Sequence, residues 1–247
     1  MANGLRLGIM QPYFFPYLGH FALIAAVDEW IVFDVTQYTP RTWMNRNRIL
    51  HPRSGWQYLT VPLSNSSIHI RTSEARLLDP RAARINVLGK IDHYRKRAPF
   101  FKPVCELISQ AFDATSGDSL VHLDTNCLSK VCQYLGISFK YRICSDLMLD
   151  LPPNLGPGEW ALEICTRLGA NTYINPAGGR DLFSPTAFAE RHITIKVAHF
   201  NGMKYATPGD QGESNLSIID VLMWNAPGAV KSALLEGLRL ETLTGEA

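Results

Sequence analysis

The chain has 247 residues, of which 46% are hydrophobic and 19% charged, with a formal net charge of +2. This is ordinary globular composition with ample apolar material for a core, in one large domain or two small ones. No stretch approaches the length of a membrane span, residues 5–10 are too short for a secretory signal, and five cysteines without a CxxC pair do not form a disulfide framework, so a soluble cytoplasmic protein with reduced thiols is expected.

Residues 5–10 form an apolar run that reads as a first strand, and the Ala-rich segment 18–26 reads as a helix. Between them, Gln11-Pro12-Tyr13-Phe14-Phe15-Pro16-Tyr17 is a loop that two prolines keep out of strand and helix geometry. Residues 29–35 are a second buried strand ending at an acid, which completes a βαβ unit with a right-handed crossover. In an open α/β sheet the first loop then lies at the carboxyl end of a strand, where ligands bind. Residues 36–47 follow the second strand and are expected beside 11–17 at the same sheet edge.

Residues 46–50 read as a short strand or turn, and 55–62 as a strand with Trp56, Tyr58, Thr60 and Pro62 on one side. Alternation over 68–72 predicts another strand pairing with it. Residues 79–115 turn helical, with Pro80 in a first turn after Asp79, a break over 94–101 and a restart at Pro103. A long helix over 118–135 closes at Gly136, and 137–144 is a strand. Residues 151–158, with three prolines and two glycines, are either a linker or an internal loop. Then come a helix over 159–168 stopped by Gly169, a short strand over 171–174, and the loop Asn175-Pro176-Ala177-Gly178-Gly179-Arg180-Asp181. A buried strand over 193–198, a polar loop over 207–214 and apolar helices over 216–224 and 229–240 complete the chain. The whole reads as an α/β fold, a Rossmann-like parallel-sheet core in one domain over 1–247, with a helical subdomain at about 79–136.

Charge is unevenly distributed. Residues 41–102 hold thirteen Lys/Arg against three acids, a local +10, and the rest of the chain is −8. Such a split suggests a face that meets an anion: a phosphate-bearing substrate, an acidic protein partner or nucleic acid. The stretch opens with Gln37-Tyr38 and Trp43-Met44-Asn45-Arg46-Asn47-Arg48. Arg46 and Arg48 can grip phosphate or carboxylate with a planar fork, Asn45 and Asn47 offer donors and acceptors, and Trp43 can stack on a planar group. Gly178-Gly179 after a short strand reads as a turn whose backbone N–H groups approach an anion at a helix start.

His20 is the histidine best placed for acid–base work, and Gln11 and Tyr13 share its loop. Ser217 lies in the first turn of a late helix, with Asp220 on the same side. Cys105, Cys127, Cys132 and Cys165 fall on apolar helical faces and read as core. HExxH, His/Cys ligand clusters, paired carboxylates, GxSxG and Walker loops are all absent, so no metal site is predicted.

The segments MQPYFFPYLGHF, IVFDVTQY, WMNRNRI, YLTVP and NLSIIDVL, in this order and spacing, resemble the WbqC-like protein family over nearly the whole chain. Members occur in bacterial O-antigen and other polysaccharide loci and in natural-product clusters. The resemblance implies transfer of a glycyl or similar acyl group. It carries interest onto Gln11, Pro12, Tyr13, Pro16, Gly19, Asp34, Gln37, Tyr38, Trp43, Arg46, Asn47, Thr60, Pro62, Ser217 and Asp220. The family pattern has an aromatic residue where this chain has His20, so a catalytic histidine here would be special to this member. More distantly, a strand followed by PYFFPYLGH is similar to the start of nucleotidylyltransferase-type (HUP) α/β domains, whose HxGH motif holds nucleotide phosphates. Gly19-His20 matches its second half, and Tyr17 replaces its first histidine.

The leading expectation is an acyl or aminoacyl transferase in polysaccharide or natural-product biosynthesis. Its donor would be a thioester on coenzyme A or on the phosphopantetheine of an acidic carrier protein, and its acceptor a small-molecule amine or hydroxyl. No cofactor would be permanently bound. His20 or Asp34 would be the base, and Gln11, Asn45 or Asn47 would steady the oxyanion. The alternatives are an ATP- and Mg²⁺-dependent activating enzyme using the same loops, and a non-catalytic binding module for a ligand or partner. Nucleic-acid binding ranks last, because the basic residues form no known recognition module.

Overall fold

A computed structural model describes residues 4–207 and 213–244. In chain order the elements are β1 (Arg6–Met10), α1 (Leu18–Ala26), β2 (Glu29–Val32), β3 (Arg46–Leu50), β4 (Trp56–Thr60), α2 (Pro80–Ile91), α3 (Phe101–Asp113) and α4 (Leu120–Leu135). They continue with β5 (Tyr141–Ile143), α5 (Glu159–Leu168), β6 (Thr172–Pro176), α6 (Pro185–Glu190), β7 (Thr194–Phe200), α7 (Ile218–Trp224), α8 (Pro227–Glu236) and β8 (Leu238–Thr242). Six strands form one sheet in the order β5-β2-β1-β6-β7-β8, parallel except for β8. β3 and β4 make a separate antiparallel hairpin. This is the expected α/β, Rossmann-like core.

Alternating side chains send the two faces of the sheet into two apolar clusters, as a pleated strand requires. Leu7, Ile9 and Ile31 pack with Ile164 and Cys165 of α5 and Phe188 of α6. Trp30 and Val32 face the other way, into a larger cluster with α1, α3, α4, α7 and α8. The helices α2–α4 share that cluster with α1 and the β3–β4 hairpin. Residues 151–158 connect β5 to α5 within the sheet's own wiring, since β1 pairs directly with β6. Among the described residues no helix is long and apolar enough to cross a membrane.

Two expected elements differ. Residues 68–72 are not a strand: Ile68 is exposed, and the segment pairs through Tyr38 N to Ile70 O and Thr72 N to Thr36 O before a 3-10 turn at Thr72–Glu74. Its backbone partner is the loop after β2, not β4. The helix expected over 229–240 stops at Glu236, and Leu238–Thr242 becomes an edge strand on β7. The polar loop expected over 207–214 lies partly outside the described residues.

Asp124 of α4 is fully buried, and neither of its carboxylate oxygens has a hydrogen-bond partner among the described residues. Burial without a partner pushes its pKa well up. A carboxyl that resists ionisation when folded, but ionises freely when unfolded, loses stability as pH rises through and beyond its ordinary value near 3.8. Asp124→Asn is therefore expected to melt several degrees above the wild type at pH 8 and level with it near pH 4. Equal melting temperatures at pH 8 would show that Asp124 finds a partner in solution.

Candidate functional site

The chain leaves β1 toward β2 on one side, while β6 lies on the other, so β1/β6 is the switch point of the sheet. Just beyond the carboxyl ends of these strands is a cavity of about 310 Å³. Gln11, Tyr13, Phe33, Trp160, Asn175 and the Gly178-Gly179 pair are among its walls. The Tyr13 hydroxyl donates to Gln11 Oε1 at 3.3 Å, which leaves the Gln11 amide N–H₂ as the free donor of that side chain. Asn175 is held within its own strand end, accepting from the Tyr173 hydroxyl at 2.9 Å and donating to Pro176 O at 2.8 Å. A Cβ on Gly179 would stand 2.4 Å from Asn175 Nδ2, so glycine is what lets the asparagine tuck in. The turn expected to open a helix is instead a short 3-10 segment, Ala177–Leu182, ended before the Ser184-Pro185 start of α6.

The loop that supplies Gln11 and Tyr13 is clamped from two sides. Phe14 and Phe15 are fully buried, and Phe15 holds φ of 39°, a left-handed value that a bulky residue adopts only under constraint. Phe14 N donates to Trp43 O at 2.9 Å. Asn47 Nδ2 donates to the carbonyls of Phe14 and Phe15 at 3.1 and 2.9 Å. Ser217 Oγ donates to Phe15 O at 2.7 Å and accepts from Ile219 N at 3.2 Å as the cap of α7. The expected meeting of 36–47 with 11–17 is present, and it is made on the loop's backbone, by Trp43 O and the Asn47 side-chain amide.

One turn along α7, Asp220 is fully buried and accepts from Leu50 N at 3.0 Å, from the Tyr205 hydroxyl at 2.9 Å and from the Tyr94 hydroxyl. Burial pushes its pKa up while these three donors pull it down, and burial prevails. Asn47, Ser217 and Asp220 were expected to bind substrate. Their side-chain bonds join β3, the aromatic loop and α7 into one frame.

A second pocket of about 360 Å³ also borders Tyr13, with Tyr17, Trp43, Asn47, Arg48 and Asn215 around it. The Arg48 guanidinium lies 5.5 Å from the Trp43 ring centre and 5.2 Å from that of Trp56, and the Arg46 guanidinium lies 4.2 Å over Tyr58. Neither arginine has a carboxylate partner among the described residues. Tyr13 borders both pockets.

The remaining expected residues lie elsewhere. Asn45 Nδ2 donates to Val61 O at 3.0 Å, and Gln37, exposed, donates to Ile68 O. Tyr38 is fully buried, and Thr60 is exposed at the end of β4 opposite Arg46. The two expected bases do not fit their role. His20 is 3% exposed in α1, ringed by Trp30, Tyr13 and Phe21, and burial pushes its pKa down to about 3. Asp34 is 1% exposed and accepts from Ser145 N at 2.9 Å and Ser145 Oγ at 2.6 Å, tying the end of β2 to the turn after β5. Burial raises its pKa despite those bonds. Sequence reasoning missed Asn175 and Trp160 as cavity walls. Asn175 begins the glycine loop and could have been found there; Trp160 carries no local signal, since only tertiary packing brings α5 to the switch point.

The sequence model of the WbqC-like protein family matches residues 11–232. An uncharacterised protein of Mycobacterium tuberculosis is 28% identical over 219 residues, covering 88% of this chain and 92% of its own length. No solved structure matches the chain.

Proposed function

This chain belongs to the WbqC-like protein family, and from that premise we propose an acyl or aminoacyl transferase that moves a group from a thioester to an amine or hydroxyl. The observation that carries the reading is the wall shared by the two pockets. Tyr13 lines both the switch-point cavity and the arginine-bearing pocket. A donor whose phosphate lies by Arg48 can reach the Gln11–Tyr13 corner with its thioester, where an acceptor from the cavity meets it.

The chemistry is direct attack. Cys127, Cys132, Cys144 and Cys165 are buried and Cys105 is half-buried, and burial pushes all five thiols up, those of Cys144 and Cys165 to about 12, which disfavours the thiolate a covalent intermediate needs. The acceptor nitrogen bonds to the acyl carbon, the C–S bond breaks, and the leaving thiolate takes up the proton that nitrogen releases. The free Gln11 amide N–H steadies the oxyanion. The donor is coenzyme A or a carrier's phosphopantetheine, whose acidic surroundings suit the basic stretch.

A thermal-shift panel tests this first. Phosphopantetheine is expected to stabilise the wild type by mass action and to lose that effect in Arg48→Ala. In a transfer assay with loaded donor, Gln11→Ala is expected to lower the rate about 10²-fold. Stabilisation by ATP with Mg²⁺, and none by phosphopantetheine, would replace the reading with the activating-enzyme alternative.

A further inference from the structure

A third cavity, of about 310 Å³, lies away from Tyr13, between the end of β3, the turn after α2 and the end of α7. Its floor is Tyr94 and Trp224, whose rings meet edge to face at 5.8 Å. His51, His93, Lys96 and Arg97 stand around it, and no acidic residue lines it. Arg95, just before them in the chain, is closed on Asp92 through Nε at 2.7 Å, whereas Lys96 and Arg97 have no ion-pair partner among the described residues.

Two further groups are unsatisfied. Trp224 Nε1 and His93 Nε2 are buried from solvent and have no hydrogen-bond partner among the described residues. The tautomers follow from the other ring atoms. His93 Nδ1 faces the Lys90 carbonyl at 2.9 Å and so carries the hydrogen there. His51 Nδ1 accepts from Arg53 N at 3.2 Å, so its Nε2 carries the hydrogen. The cavity therefore offers the His51 imidazole N–H and two cations over an aromatic floor.

We propose that this cavity is a binding site for a small anion bearing phosphate or carboxylate groups, gripped by Lys96 and Arg97 and oriented by the His51 N–H over the Tyr94 and Trp224 rings. It is independent of the transfer reading, because it shares no lining residue with either pocket at Tyr13. Its floor reaches the frame of the site all the same: the Tyr94 hydroxyl donates to Asp220, which also holds Leu50 N.

The test titrates full-length protein, ¹⁵N-labelled in the tryptophan rings, with sodium phosphate and separately with malonate at constant ionic strength. The Trp224 indole signal is assigned by its loss in Trp224→Phe. Saturable movement of that signal, with those of Trp30 and Trp160 fixed, is expected for at least one of the two anions, and the arm that saturates identifies the anion class. Lys96→Ala/Arg97→Ala, both on an exposed turn, is expected to weaken binding about tenfold or more. Arg81→Ala, exposed at the start of α2 and outside the cavity, is expected to leave it unchanged. No saturable shift with either anion, a uniform drift of all indoles, or equal affinity in the double variant would overturn the proposal.

Discussion

Replacing Asp220 with alanine is expected to destabilise the protein by about 3–5 kcal/mol, because a buried acceptor of three donors is removed at once. Leu50 N, the Tyr94 hydroxyl and the Tyr205 hydroxyl would each lose their partner. The loss should appear in urea unfolding as a lower midpoint with an unchanged slope. Asp220→Asn keeps an acceptor oxygen and should cost clearly less. Coupling to the aromatic loop should be visible in a double-mutant cycle with Ser217→Ala, whose hydroxyl holds Phe15 O from the same helix. If Asp220→Ala cost under 1 kcal/mol, the frame around the loop would rest on other contacts.

His20 contributes strongly to the acid limb of stability. Its folded pKa of about 3 lies below its ordinary 6.5, so between those values the unfolded chain binds a proton that the folded chain refuses. Stability therefore falls as pH drops below 6.5, by about 3 kcal/mol on reaching pH 4. Asp124 works in the opposite direction, losing stability as pH rises, so the two are separated by variants and not by the wild-type curve alone. His20→Phe, which fits a ring among Trp30, Tyr13 and Phe21, is expected to be near neutral at pH 7.5 and to abolish most of the loss at pH 4. Parallel pH profiles for the two proteins would mean that His20 is protonated in the folded state, and would reopen its acid–base role.

The first βαβ unit was legible because its signals are local. The apolar run of β1, the prolines of the loop and the uninterrupted apolar helix 18–26 each follow from residues within a few positions of one another. Switch-point reasoning placed Gln11 and Tyr13 at the ligand edge of the sheet, and the cavity there has them in its wall with Gly178 and Gly179, which the sequence marked as an anion-binding turn. The edge strand β8 was not legible, because what overrides its helical pattern is pairing with β7, some forty residues upstream.

Polar residues near the loop divide the same way. That Asn47, Ser217 and Asp220 matter could be read from the chain; what they bind could not. Their backbone partners lie 32, 202 and 170 residues away, and every residue carries such groups, so no side-chain pattern marks them; the two tyrosines that also donate to Asp220 lie 126 and 15 residues away. His20 follows from the same limit. Spacing put it at the start of α1, but the packing of α1 against Trp30 and Tyr13 decided that its ring is enclosed. The chain by itself determined the α/β class, the rigid aromatic loop and the family, because these depend on local pattern. The tertiary structure alone decided which polar groups hold the loop and which face a cavity, because burial and hydrogen-bond pairing depend on contacts between residues far apart in sequence.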